Sequence, residues 1–381
     1  MSGQVLICLS QTRDEAARFE ASGPRRDIQS LAAAVGGEVV YRAGSGGRKG
    51  LRAKLFGPHV GHAWEAARRA GGDATVFADG EHVGLPLAVF LALRGKRRVR
   101  LIVLGHYVNK PWKRALLRLG GLLQPRGTLV VHSATQRDQV RGATRWGVEL
   151  LPYQVDTAYW QTSTVPAGRP VVVAVGSENR DYDVLAEAAR GLDVEVRIAA
   201  GSHWARLQAE ASNLPENVTY IAETLGFDEL RALYEEASVV VVPLREASNQ
   251  SGITTMLEAM SMGRPLVVTA NRGQRETVAG PLISAHGRDS TATADRGPQL
   301  FGFPRPAEPT GMYVAPGDSE GLRAAIELVL ADPEQAARMA RAGAQSVREH
   351  FTLEQFVERF AAIILAANDE AVGNATLVSA R

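Results

Sequence analysis

The residues that can do chemistry concentrate in one segment, VVVVPLREASNQSGITTMLEAMSMGRPLVVTANRGQRETV at 239–278. An apolar β-branched run ends at Leu244 and a polar loop with a glycine follows. A helical period then begins near Ile253, with Met256, Leu257, Met260 and Met262 apolar. A strand, a loop and a helix in that order aim the N–H groups of Gly252, Ile253, Thr254 and Thr255 beyond the strand end, where the helix dipole adds positive potential. With two threonine hydroxyls beside them, these donors form an anion site whose natural guest is phosphate. One turn later stands Glu258. Its acceptor-only carboxylate can take both hydroxyls of a ribose; the alternative is a solvated helix residue. Ala259, Gly263 and Pro265 favour the first, because they let such a helix pack tightly against the next strand.

These side chains need a frame, and the rest of the chain supplies one. Short β-branched runs alternate with longer stretches of helical period, the pattern of a parallel sheet wrapped by helices. Strands are expected at 4–9, 37–42, 74–78, 99–105 and 128–133, and again at 170–176, 194–200, 218–222, 238–244 and 264–270. Each half reads as a doubly wound, Rossmann-like α/β domain. Pro152, Pro166, Gly168 and Pro170 interrupt any helical period between them, so the boundary is expected near 155–169, with a cleft there. The expected domains are 1–160, 161–350, and a C-terminal helix within 351–381 that crosses back to the first. The stretch 286–311 reads as a surface excursion, followed by helices over 319–331 and 333–350. A last amphipathic helix opens at a capping box around Thr352, Glu354 and Gln355, and the tail from Asn368 is expected to fray.

Composition narrows the class. The chain has 381 residues, 45% of them apolar, and Cys8 is its only cysteine. That excludes a disordered or collagen-like chain, an intramolecular disulfide and a thiolate zinc cluster. The N-terminal apolar run is too short for a signal peptide and no segment is apolar for long enough to span a bilayer, so a cytoplasmic protein is expected. Charge is unevenly divided: residues 1–150 hold 24 Lys and Arg against 11 Asp and Glu, and residues 151–381 hold 19 against 30. Most of the basic excess lies in 42–126, with RKGLRAK at 48–54, RGKRRVR at 94–100 and KPWKRALLR at 110–118. One reading is a solvated face that matches two oppositely charged halves. Another is peripheral contact with an anionic membrane through 94–126, where Trp112, Leu116, Leu117 and Leu119 sit among cations. Nucleic acid is disfavoured, because the basic runs lack interleaved aromatics.

Two metal-like patterns carry less. Asp181-Tyr182-Asp183 spells a DxD, but it falls where a helix should start and Asp183 is expected to cap it. His59 and His62 form an HxxH beside Gly57, Pro58 and Gly61, a poor setting for a helical pair and without an evident third ligand. No metal is expected.

The run from Ser251 to Thr269 closely resembles the donor-binding signature of family 4 retaining glycosyltransferases, whose fold is GT-B, two Rossmann-like domains facing a central cleft. LLPYQVDTAYW at 150–160, VGSENRDYDVLAEAARG at 175–191 and GMYVAPGDSEGLRAAIELVLADPEQAARM at 311–339 are similar to further family blocks in the expected order. The likeness is weak before residue 99.

The resemblance implies a hexosyltransferase that uses a nucleotide-diphosphate sugar as donor substrate and no tightly bound cofactor. Its acceptor would be a sugar, a lipid or a small molecule. Ser251, Gly252, Ile253, Thr254, Thr255, Glu258 and Leu225 would bind the donor, with Glu258 on the ribose. His106 would contact the transferred sugar, and Arg180 would fork onto the diphosphate. The family has two glutamates separated by seven residues; here the first is Gln250, which still hydrogen-bonds sugar hydroxyls but brings no charge. Ser177 stands where a second phosphate cation is common. In place of the family's two-glycine loop is ASGPRRD, whose Arg25 and Arg26 can meet an anionic acceptor. Transfer in the family proceeds on the front face, the departing diphosphate helping to accept the acceptor's proton. The alternative that Gln250 raises is a GT-B protein that binds a nucleotide sugar or glycan with little or no transfer. An epimerase or a phosphorylase fits less well, lacking a carboxylate-rich pattern and a lysine placed for pyridoxal. Donor, nucleotide and acceptor stay open.

Overall fold

The computed structural model describes residues 3–20, 23–43, 58–108, 110–201, 214–247, 250–274, 276–285, 287–289 and 300–378. The basic run at 48–54 and most of the excursion from 286 to 299 lie outside them. The chain forms two compact units, Met1–Leu151 with Glu354–Arg381, and Pro152–Leu353.

In the first unit the order is β1 (Val5–Leu9), α1 (Arg13–Glu20), α2 (Asp27–Val35), β2 (Glu38–Tyr41), α3 (Pro58–Arg69), β3 (Thr75–Ala78), α4 (Glu81–Leu93), β4 (Arg100–Leu104), α5 (Pro111–Leu123), β5 (Gly127–Val131), α6 (Ala134–Val140) and β6 (Gly147–Leu150). The strands make one parallel sheet ordered β2-β1-β3-β4-β5-β6, with Cys8 opposite Ala78 and Leu9 opposite Tyr41. Alternation along each strand sends Leu6, Cys8, Val76 and Leu101 into one apolar layer, and Ile7, Phe77, Ile102 and Val130 into the other. Phe356, Phe360 and Ile364 of the C-terminal helix (Leu353–Val378) complete that second layer, Phe360 meeting Phe77 edge-on at 4.8 Å.

The second unit runs β7 (Val171–Val175), α7 (Tyr182–Ala189), β8 (Glu195–Ala199), β9 (Val218–Ile221), α8 (Phe227–Glu236), β10 (Val239–Val242), α9 (Ile253–Ser261), β11 (Leu266–Thr269), β12 (Leu282–Ser284), β13 (Gly287–Asp289), β14 (Met312–Val314), α10 (Ser319–Ala331) and α11 (Pro333–His350). Its sheet is ordered β13-β12-β14-β11-β10-β7-β8-β9, and only the β12–β13 pair is antiparallel. The segment after Pro152 packs into this unit. Trp160, 1% exposed, meets Tyr234 edge-on at 5.6 Å, and the Ser261 hydroxyl donates to its carbonyl at 2.6 Å.

All ten expected strands form, each within two residues of its expected ends at either side. β6, a half-exposed edge strand, and the three-residue β12, β13 and β14 are additional to them. The C-terminal helix spans Leu353–Val378. Asp181, not Asp183, holds the N-cap position of α7, and Asp183 lies in its first turn. Gly263 is needed for its φ of +63°, where the α9 C-terminus closes with Arg264 N–H donating to Ala259 O, rather than for close packing.

Candidate functional site

Ligands in open α/β sheets bind where strand order reverses, at the carboxyl ends of the strands. In the second unit that place lies between β7 and β10. The chain leaving β7 turns at Gly176 (φ +99°) and Asn179 (φ +56°) and meets the chain leaving β10. Asp181 N–H donates to Pro243 O at 3.0 Å, and Arg245 N–H donates to Asn179 O at 3.1 Å. The end of β11 joins them, Thr269 Oγ1 accepting from Leu244 N–H at 2.9 Å and Asn271 Oδ1 from Ala247 N–H at 3.0 Å. Three loops are thereby fixed to one another.

Arg180 sits at their meeting point, 7% exposed. Its Nε donates to Val175 O at 3.0 Å, Nη1 to Glu178 O at 2.7 Å and Nη2 to Thr255 Oγ1 at 3.1 Å. At least three of its five N–H groups are thus used inside the protein. Burial pulls its pKa down, and the acidic groups around it, Glu178 and Glu258 among them, pull the other way. Gly176 makes room for the guanidinium, since a Cβ there would stand 2.5 Å from Nη2.

The N-terminus of α9 faces this loop cluster. Gly252 adopts φ +84°, and a Cβ there would also press on Val242 at 2.8 Å, so both conformation and space require glycine. Ile253 N–H is not available to an anion as expected, because it donates to Gln250 O at 3.2 Å. The first-turn N–H groups of Thr254 and Thr255 have no acceptor within the helix by geometry. Thr254 is exposed, Thr255 is buried against Arg180, and Ser251 is buried with Oγ 3.5 Å from Glu178 Oε1. Gln250 and Leu225 are half-buried, Leu225 packing on the unit's apolar core.

Glu258 is no solvated helix residue: it is 7% exposed, and the hydroxyl of fully buried Tyr234 donates to its Oε2 at 2.9 Å. Burial pushes its carboxyl up to about 8, although the Tyr234 bond and the Arg180 charge both pull it down. A buried carboxyl held beside a buried cation is the kind of group that binding chemistry retains. Tyr234 had no signal in the spacing, because it reaches Glu258 only once α8 packs beside α9.

The remaining expected residues lie in the first unit. His106 follows β4; its Nε2 donates to Asp79 O at 2.9 Å, which leaves Nδ1 as the ring's other polar atom. Its backbone N–H donates to Glu81 Oε2 at 3.0 Å. Burial pushes the Glu81 carboxyl up, but the Lys113 ammonium at 2.6 Å and the N–H donors outweigh it and hold it below the usual range. Glu81 and Lys113 thus position the His106 loop, a role that nothing in the sequence reading identified. Arg25 is 2.7 Å from Glu354 of the C-terminal helix, and Arg26 lies over the Phe19 ring at 4.7 Å. Each cation thus has a partner within the first unit. His59 and His62 do share a helix, α3, and His62 Nε2 donates to Val40 O at 2.8 Å. Among the described residues no group of three His, Cys, Asp or Glu is placed to hold a metal ion, and no helix is long and apolar enough to cross a membrane.

Residues 169–332 match the family model described as Glycosyl transferases group 1. No curated protein matches the chain. Among solved structures, sucrose-phosphate synthase from Thermosynechococcus elongatus is similar with a TM-score of 0.70 at 17% identity, over 96% of this chain and 100% of that one. A glycosyltransferase from Rickettsia africae gives 0.66 at 12%, over 96% and 99%. HepE from Anabaena, in complex with UDP and glucose, gives 0.62 at 15%, over 95% and 99%. The chain therefore has the GT-B glycosyltransferase fold, and residues 169–332 within its second unit match the group 1 glycosyl transferases.

Proposed function

We propose that the protein is a family 4 retaining glycosyltransferase that moves a hexose from a nucleotide-diphosphate sugar to an acceptor hydroxyl without a metal ion. The observation that carries this reading is the meeting of Arg180, the α9 N-terminus and the buried Glu258 at one switch point. Arg180 and the N–H groups of Thr254 and Thr255 would hold the diphosphate, and Glu258 would take the ribose hydroxyls. HepE, solved with UDP-glucose, supports the donor class. In the proposed front-face step the anomeric bond to the diphosphate breaks, the acceptor oxygen bonds to the same face, and its proton passes to the departing diphosphate. Arg180 stabilises the charge that leaves. His106 and Gln250 would contact the transferred sugar.

The test is a panel of nucleotide sugars without acceptor, read by thermal shift and by slow donor hydrolysis together. A shift and hydrolysis with one donor are expected, and no shift with any donor rejects the reading. A shift without hydrolysis favours the second reading, a binding protein, for which the uncharged Gln250 is the observation. Gln250→Glu should raise or redirect hydrolysis severalfold; a silent substitution removes position 250 from the sugar site.

We place the enzyme in the cytoplasm, peripherally on an anionic membrane through 94–126. Trp112, Leu116, Leu119 and Leu122 of α5 are 58%, 40%, 46% and 52% exposed, and Leu93 at the end of α4 is 75% exposed. Lys110, Arg114 and Arg118 accompany them, so apolar anchors and cations share one helix. Co-sedimentation with phosphatidylglycerol-containing vesicles should be strong at low salt and weak at high salt. Changing Trp112, Leu116 and Leu119 together to Ser should weaken it about a hundredfold, given the apolar area withdrawn. A protein that never pellets has no such docking face.

A further inference from the structure

The first unit has a switch point of its own, between β1 and β3, and a polar cluster lies on it that the donor site does not use. Ser10 follows β1 and Asp79 follows β3. Asp79 Oδ2 accepts the Ser10 N–H at 2.6 Å and Oδ1 accepts the Ser10 hydroxyl at 2.5 Å, while Asp79 N–H donates to Cys8 O at 3.1 Å. With the Ser10 hydroxyl hydrogen directed to Asp79, its oxygen accepts a hydrogen bond from His82 Nε2 at 2.7 Å. The ring of His59 stands edge-on to His82 with centroids 4.3 Å apart.

We infer that Ser10, Asp79, His82 and His59 form a recognition site for an uncharged polyhydroxy ligand, a hexose or hexoside, in the first unit. The hydrogen-bond order argues for binding rather than hydrolysis: His82 Nε2 donates to the hydroxyl, so the imidazole does not stand as the serine's general base. Exposure argues against a purely structural knot, since His82 is exposed and Ser10, Asp79 and His59 are only half-buried. His59 Nδ1 is buried without a hydrogen-bond partner among the described residues, a need that a rotation of the ring toward a ligand hydroxyl would meet. His82 is held over Gly80, where a Cβ would come 2.5 Å from Nδ1.

Charge selects the ligand. Among the described residues, the cation bonded to this cluster, Arg42, is already engaged, with Nε donating to Ser10 O at 2.7 Å and Nη2 3.1 Å from Glu15 Oε2. Burial, His82 and Arg42 together lower the His59 pKa, which keeps that ring neutral. The negative charge left facing the cluster is Asp79, whose oxygens keep lone pairs for further donors. Ligand hydroxyls satisfy them, whereas a phosphate would meet a like charge. The inference deepens the proposed function and rests on it only in calling this ligand the acceptor; binding itself can be tested separately.

Saturation-transfer NMR on the full chain with methyl hexosides, and with the matching hexose phosphates, is the experiment. A signal from at least one neutral hexoside and weaker signals from the phosphates are expected. His82→Ala and Ser10→Ala should each reduce the hexoside signal about five- to tenfold, the loss of one hydrogen bond. Gly80→Ala, whose Cβ would press on the His82 ring, should do the same. Nucleotide-sugar thermal shifts should stay unchanged in all three, which separates this site from the donor site. A hexoside signal indifferent to these variants, a preference for phosphates, or no hexoside signal overturns the inference, whatever the donor panel shows.

Discussion

Glu258→Gln will make the protein more stable at neutral and alkaline pH while weakening its hold on a nucleotide sugar. The carboxyl, ordinarily near 4.5, is raised to about 8 in the folded chain, chiefly because it is buried. The folded protein therefore holds this proton more tightly than the unfolded chain does. The stability it contributes is complete below about pH 4.5, falls as pH rises and is gone above about pH 8. At 1.36 kcal/mol per pKa unit, the whole span amounts to about 5 kcal/mol at most, and about 3 kcal/mol of it is lost by pH 7. Glutamine keeps the shape and still accepts from Tyr234, but it cannot ionise. Thermal or denaturant unfolding of both proteins across this range should show the wild type losing ground to the variant as pH rises. A difference that stays constant with pH would mean that Glu258 ionises in the folded state as freely as in water. Binding should move the other way. A carboxylate that accepts two ribose hydroxyls is best ionised, so donor affinity in the wild type should rise with pH up to about 8, and the variant should bind weakly at every pH.

That opposition shows what the sequence could and could not disclose. Periodicity exposed ten strands, because parallel strands buried on both faces are runs of valine, isoleucine and leucine. It missed β6, whose GVEL exposes alternate residues at a sheet edge, and β12 to β14, too short to hold a pattern. Gly252, Thr255 and Glu258 could be picked out because one strand, loop and helix carry them in sequence. Their partners could not. Tyr234 lies 24 residues from Glu258, and Arg180 lies 75 from Thr255. In the first unit, Asp79 and His82 lie 69 and 72 residues from Ser10. Tyr234 meets Glu258 through the packing of α8 beside α9, and the other pairings exist because parallel strands bring distant segments to the same sheet edge. The resemblance also implied a phosphate-facing role for Arg180 without its structural one, and for Arg25 and Arg26 the folded chain supplies local partners in Glu354 and Phe19.

The dual position of Arg180 leads to the second large effect. Arg180→Ala should destabilise the protein by about 3–5 kcal/mol, because it removes the buried donor shared by Val175 O, Glu178 O and Thr255 Oγ1. It also removes the positive charge that pulls the Glu258 carboxyl down, so that carboxyl should rise further and bind ribose less readily. Donor affinity should fall at least about a hundredfold, the combined cost of a charge-assisted fork and a loosened loop. Arg180→Lys separates the two contributions. Lysine restores the charge and can reach one or two of the three acceptors, so stability should recover by more than half. A single ammonium cannot fork onto a diphosphate while holding three loops, so donor affinity should remain about tenfold down. Unfolding curves and nucleotide-sugar titrations of both variants decide the matter. If the lysine variant regains affinity in step with stability, Arg180 only builds the loop and the diphosphate is held by the α9 N-terminus alone. If the alanine variant is as stable as the wild type, the hydrogen bonds drawn by the guanidinium carry no weight in the fold.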